Sequence, residues 1–142
     1  MNKPIVIPSP DKKHKVVLAY LDKIQAGNCY YSLSIDGFPL SFENRVFGRV
    51  CLWSHDSRFL SIQEWIETDK TLGPKSYLLL ILDLLTRREC VVASVDGTKG
   101  NIIPEGFIGE NLMYTVIYYG SFGTTKNYES KFRHLTGWQT LK

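Results

Sequence analysis

The stretch Arg49 to Trp65, RVCLWSHDSRFLSIQEW, together with Ser76 to Asp96, SYLLLILDLLTRRECVVASVD, decides the fold. Arg49 to Trp53 is a short apolar run, and Ser54-His55-Asp56-Ser57 is a polar turn. Arg58 to Trp65, Ser76 to Asp83 and Glu89 to Val95 are three further runs of strand character. Thr86-Arg87-Arg88 supplies a second tight turn, and Asp96-Gly97 closes the group. Four consecutive strands joined mostly by short turns predict an antiparallel β-meander. Tyr77 to Leu85 has enough apolar residues to compete as a helix, but Gly73-Pro74 before it and Asp83 within it suit a strand better.

Outward from this centre the same grammar continues. Towards the N-terminus, Tyr30 to Ile35 alternates, with Tyr31, Leu33 and Ile35 on one face, and Asp36-Gly37 is a hairpin signal that makes Phe38 to Phe42 the returning strand. Lys15 to Leu21 is another strand. Prolines at 4, 8 and 10 make residues 1–13 an extended lead-in. Towards the C-terminus, the stretch from Gly97 to Gly109 is rich in Gly and Pro and reads as loop. Asn111 to Tyr119 and Tyr128 to Leu135 are paired strands around the turn Gly120 to Thr125, and Thr136 to Lys142 is a short strand or a helical turn.

The expected fold is therefore all-β: an antiparallel meander of about nine short strands in two packed sheets. Composition agrees. The 142 residues suit one domain, 1–142; 44% are apolar, 22% charged and 13% aromatic, which excludes a disordered tail, a collagen-like rod or a coiled coil. The terminal apolar run, Ile5 to Ile7, is too short for a signal peptide, and Tyr77 to Leu82 is too short to span a bilayer, so a cytoplasmic protein is expected. Cys29, Cys51 and Cys90 are odd in number and far apart, which predicts three buried thiols and no disulfide framework.

Ser9-Pro10-Asp11 and Ser54-His55-Asp56 repeat a Ser-x-Asp turn before an apolar strand, and the two Asp residues are 45 positions apart. LWSHDSRFLSIQEW followed by LLLILDLLTRRECVV resembles a blade of the WD-repeat and TolB-like propellers, well over residues 49–95 and loosely over 8–42. The resemblance implies blade-like units at about 14–42 and 49–95, with C-terminal strands at about 111–135. A closed propeller needs at least four blades, and 142 residues are too few, so an open arrangement is expected.

Catalytic signals are weak. His14, His55 and His134 are too dispersed for a zinc motif, and no metal or cofactor is expected. His55 lies between Ser54 and Asp56 in one turn, whereas catalytic triads assemble from separated positions. Gly120-Ser121-Phe122-Gly123-Thr124-Thr125-Lys126 lacks the spacing and the following helix of a phosphate loop. The residues favour a binding protein over an enzyme.

Net charge is +3, unevenly spread: residues 1–27 carry five Lys against two Asp, 28–119 eight basic against eleven acidic groups, and 120–142 four basic against one acidic. Glu64, Trp65, Glu67 and Asp69, at a strand end and in the loop Thr68 to Lys75, form the candidate protein-binding edge. Aromatics anchor interfaces, and carboxylates steer a basic partner. Tyr119, one of the adjacent pair Tyr118 and Tyr119, joins them as a candidate contact, since successive strand residues face opposite sides.

In general character the chain is similar to small bacterial immunity proteins that neutralise toxins. That likeness implies a basic toxin, such as a nuclease, as partner, occluded at its active site. Two alternatives stand beside it: a scaffold pairing through exposed sheet edges, and an RNA-binding platform over Lys126, Tyr128, Lys131, Phe132, Arg133 and His134.

Overall fold

The computed structural model describes residues 2–39, 41–120 and 123–141. Ser121 and Phe122 of the expected turn, Leu40 of the expected returning strand and Lys142 of the terminal segment lie outside them. Eleven strands run in chain order: β1 (Ile5–Pro8), β2 (Lys15–Lys23), β3 (Cys29–Asp36), β4 (Val46–Trp53), β5 (Phe59–Asp69), β6 (Gly73–Asp83), β7 (Arg88–Asp96), β8 (Gly100–Ile108), β9 (Asn111–Tyr118), β10 (Thr124–Lys131) and β11 (Gln139–Thr140). All pairings are antiparallel. A large sheet has the order β1-β2-β3-β4-β5-β6-β7-β11, and a small one the order β10-β9-β8. The expected all-β meander in two sheets, open rather than propeller-closed, is what the chain forms.

Several boundaries differ from expectation, four regions most of all. The Gly97 to Gly109 stretch contains a full strand, β8. Pro104 is tolerated there because β8 lies at the edge of the small sheet, where a missing N–H breaks no ladder on the open side. Gly100 is required by packing, since a Cβ at that position would collide with the Ile117 carbonyl oxygen. The segment after Asp36-Gly37 does not return as a strand. Phe38 closes a turn through its N–H to the Ile35 carbonyl (3.1 Å), and Pro39 then removes a ladder donor. The neighbour of β3 is instead β4, paired only through Tyr31 and Phe47. The loop expected from Thr68 to Lys75 shrinks to a turn at Lys70 to Leu72, because Asp69 Oδ1 accepts the N–H groups of Thr71 and Leu72 (2.7 and 2.9 Å). The last partner strand starts and stops early: β10 ends at Lys131, and Phe132–His134 forms one 3-10 turn.

Strand alternation divides the core in two. Leu80 and Leu82 of β6 join Val16 and Leu18 of β2, Leu33 and Ile35 of β3, and Leu60 and Ile62 of β5. The large sheet must therefore curve until β2 and β3 face β5 and β6. Tyr77, Leu79 and Ile81 point the other way and meet Ile102, Phe107, Leu112 and Val116 of the small sheet. β5 and β6 are thus covered on both faces, and every residue from Phe59 to Trp65 is buried. Each fully buried Leu, Ile or Phe contributes about 1.5–3 kcal/mol of hydrophobic stabilisation. Of the three thiols, Cys51 and Cys90 are buried and Cys29 is only half-buried.

The two Ser-x-Asp turns have matching bonds. Ser9 Oγ donates to Asp11 Oδ1 and Ser54 Oγ to Asp56 Oδ1, both at 2.6 Å. Each Asp Oδ1 then accepts the backbone N–H two residues on, from Lys13 and Arg58. The turns also touch, since the Asp11 N–H donates to Ser57 Oγ (3.0 Å). That bond ties β1 to the β4–β5 hairpin, as does Trp53 Nε1–H to the Ile7 carbonyl (3.0 Å).

Candidate functional site

The double burial of β5 decides the fate of the sequence-named residues. Glu64 and Trp65 are not at an exposed strand end. β5 runs four residues further, and the two residues are only 6% and 5% exposed. Trp65 belongs to the core, edge-on to Tyr77 at 5.6 Å, with its Nε1–H donated to Gln63 Oε1 (2.6 Å). Gly48 opposite leaves room for this pair, because any Cβ there would strike Gln63. Gln63 Nε2 in turn bonds Asn101 Oδ1 and the Ile102 carbonyl, which stitches β5 to the small sheet. Glu67 and Asp69 are exposed, but both are engaged. Glu67, whose side chain is 68% exposed, faces Lys75 Nζ at 3.4 Å. Asp69 holds its turn, and the N–H groups of Leu72 and Thr71 keep its carboxyl below the usual range. Tyr119 is 51% exposed and lies beside Tyr77, whose hydroxyl is pushed up by burial and by this neighbour. The four residues Glu64 to Asp69 thus do not make one surface.

Burial of Glu64 instead creates a different site. A carboxylate in a dry interior needs a counterion, and Arg45, from the segment between β3 and β4, supplies it. Arg45 Nε and Nη2 donate to the two oxygens of Glu64 (2.7 and 3.0 Å), while Nη1 and Nη2 donate to those of Glu89 on β7 (3.0 and 2.7 Å). The guanidinium also lies over the rings of Phe42 and Phe47, at 5.7 and 5.6 Å. Burial acts to lower the Arg45 pKa, but the hydrogen bonds it donates to Glu64 and Glu89 outweigh it and raise the value above the ordinary one. Two carboxylates against one guanidinium leave one net negative charge, fixed in orientation by paired hydrogen bonds.

A cleft of about 530 Å³ opens on the Arg45–Glu89 side of this triad, with Glu64 buried behind it, and is lined by Ser41, Glu43, Arg45, Glu89, Gln139 and Thr140. Glu43 is exposed and forms no ion pair or hydrogen bond among the described residues, so it adds a second unneutralised charge at the mouth. A groove of about 510 Å³ shares Ser41, Glu43 and Arg45 with the cleft and adds the half-exposed Leu21. Chemically the arrangement suits a cationic group flanked by apolar surface. Arg45, Glu43 and Glu89 carry no local sequence signal, because Arg45 meets Glu64 and Glu89 only through the fold. The one available clue is Glu64 itself, a charge inside a strand that β-pairing would bury.

The Ser54-His55-Asp56 trio is taken up by turn formation: Ser54 Oγ donates to Asp56 and accepts the Phe59 N–H (2.9 Å). Among the described residues no group of three His, Cys, Asp or Glu side chains is placed to hold a metal ion, and no helix is long and apolar enough to cross a membrane. Compared with known proteins, the chain matches no family model, no curated protein and no solved structure.

Proposed function

We propose that this is a non-catalytic binding protein, an immunity or inhibitor protein that neutralises a basic toxin in the bacterial cytoplasm by occluding its active site. The observation that carries the reading is the excess of carboxylate over guanidinium at the cleft of about 530 Å³, where Arg45 holds Glu89 rigid and pairs with Glu64 behind it. A Lys or Arg side chain from the partner would complete the charge balance, and preorganised carboxylates bind such a group without a further ordering cost. The contact surface in this reading is the cleft, in place of the strand end at Glu64 to Asp69. A nuclease is a fitting target, since its phosphate-binding cations would meet carboxylates.

The test is capture from lysate of the source cell with tagged protein at low salt, repeated at high salt and with Glu43→Lys. One basic protein recovered stoichiometrically, released by salt, lost with Glu43→Lys and enzymatically silent while bound is the expected outcome. Capture that survives both Glu43→Lys and high salt overturns the cleft assignment.

A second reading rests on β10, which lies at an edge of the small sheet and whose residues are almost all exposed. Such an edge is a template for another strand, so a scaffold role through edge pairing predicts a mass that rises with concentration in sedimentation. A constant monomer mass removes it.

A further inference from the structure

A second charged cavity lies on the opposite face of the β7–β11 edge. Alternation sends Glu89 into the acidic cleft and its neighbour Arg88 the other way, with Cζ 5.4 Å over the Trp138 ring. Here a cavity of about 190 Å³ is lined by Arg58, Phe59, Asp83, Arg88, Arg133 and Trp138. Three guanidiniums face one carboxylate, and that carboxylate is fully used. Asp83 accepts two bonds from Arg58 (2.9 Å each), the N–H groups of Leu85 and Thr86, and the Thr86 hydroxyl (2.8 Å). Asp83 therefore neutralises Arg58 and has nothing left for the others. Arg88 bonds only the neutral Thr86 Oγ1 (3.1 Å). Arg133 approaches Asp56 no closer than 3.8 Å, a contact between half-exposed groups that screening makes weak. Arg133 also lies 5.0 Å over the Phe59 ring, which forms the floor.

We propose that Arg88 and Arg133 form a phosphate-binding site between the rings of Phe59 and Trp138. Guanidinium forks match phosphate oxygens two at a time, and because Asp83 is spent on Arg58, the charges of Arg88 and Arg133 leave the local potential positive. The cavity is smaller than the roughly 300–1,000 Å³ of a site for a whole drug-sized ligand, so it suits one anionic group. It shares Phe59 and Arg133 with a neighbouring cavity of about 210 Å³ that includes Phe107 and Phe132. An aromatic or apolar portion of a phosphate ester has a place there. The phosphate can thus belong to an ester such as a nucleotide or be free. The inference is independent of the inhibitor reading, because it uses none of the cleft residues.

The experiment is a side-chain NMR titration of the full chain with inorganic phosphate and with adenosine 5′-monophosphate, using adenosine as the uncharged control. Saturable shifts of the Arg88 and Arg133 Nε–H and Trp138 indole signals, with a Kd of about 1 mM or tighter for at least one phosphate probe, are expected. Adenosine should give none. Tighter binding of the monophosphate assigns an ester, and equal binding a free phosphate. Arg133→Gln and Arg88→Gln should each weaken binding about tenfold, as loss of a charged hydrogen-bond pair does, with backbone spectra unchanged. Lys126→Gln, a cation on β10, should leave binding unaltered. Absence of saturation with both probes, or equal weakening by Lys126→Gln, overturns the site.

Discussion

The acidic cleft and the basic pocket are built by the same rule with the signs exchanged. In the cleft two carboxylates share one guanidinium, whereas in the pocket three guanidiniums surround one carboxylate. In each, the most deeply buried ion, Glu64 or Asp83, is completely satisfied by the protein, and the surplus charge stands further out. The buried pair serves folding, and the surplus is what a ligand can meet. A single strand edge, β7 with β11, separates the two because neighbouring residues Arg88 and Glu89 face opposite sides.

The largest effect expected from this comparison is on stability. Arg45→Met leaves Glu64 buried with no counterion and should cost about 3–5 kcal/mol in urea unfolding, as breaking a buried ion pair does. Arg58→Met should cost less, about 1–3 kcal/mol. Asp83 keeps the donors from Leu85 and Thr86, and so its charge stays solvated by the turn. Equal losses would mean that the two buried carboxylates are held alike and would erase the distinction between the regions.

Next in size is a pH effect peculiar to the pocket. Burial acts to raise the Asp83 pKa, but the hydrogen bonds from Arg58 and Thr86 outweigh it and hold the value below its ordinary 3.8. A group with a depressed folded pKa contributes stability that is present above the unfolded value and is lost as pH falls through the folded one. The wild type should therefore lose stability more steeply than Asp83→Asn between about pH 4 and pH 2. Parallel curves from calorimetry across that range would show that Asp83 is not a source of acid sensitivity.

The same contrast explains what could be read in the sequence. Turn chemistry is local, so Ser54 to Ser57 and Thr86 to Arg88 placed the β4–β5 and β6–β7 turns from residues a few positions apart, while the far ends of β4, β5 and β6 run beyond the expected bounds. β8 was hidden because its Gly100 and Pro104 signal loop by composition, while their real constraints are the press of the Ile117 carbonyl and an open sheet edge. The charged sites were less legible still. Arg45 meets Glu64 and Glu89 across 19 and 44 positions, and Arg58 meets Asp83 across 25. Trp65 looked exposed for the same reason: nothing near it in the chain announces the small sheet that covers it.

A smaller effect tests the repeated turns that join these regions. Asp11→Ala and Asp56→Ala each remove bonds to one Ser hydroxyl and one backbone N–H, and each should cost about 1 kcal/mol. Their sum should fall short of the double variant or exceed it, since the turns touch through Asp11 N–H and Ser57 Oγ and neighbouring sites couple. Strict additivity would mean that the two turns are energetically separate despite their contact.

The smallest effect belongs to the β5–β6 hairpin tip, where charge is abundant but unorganised. Glu67 and Lys75 are both mostly exposed and stand 3.4 Å apart, so their attraction is screened and offset by side-chain entropy. Glu67→Lys should change stability by no more than about 0.5 kcal/mol. It should also weaken capture of a basic partner less than Glu43→Lys does, because the tip has no buried carboxylate to fix its geometry. Measured side by side at one salt concentration, the two charge reversals compare a site backed by paired carboxylates with an exposed ion pair. A greater loss of binding from Glu67→Lys would move the interface back to the hairpin tip, and the Arg45 triad would then be a device of folding alone.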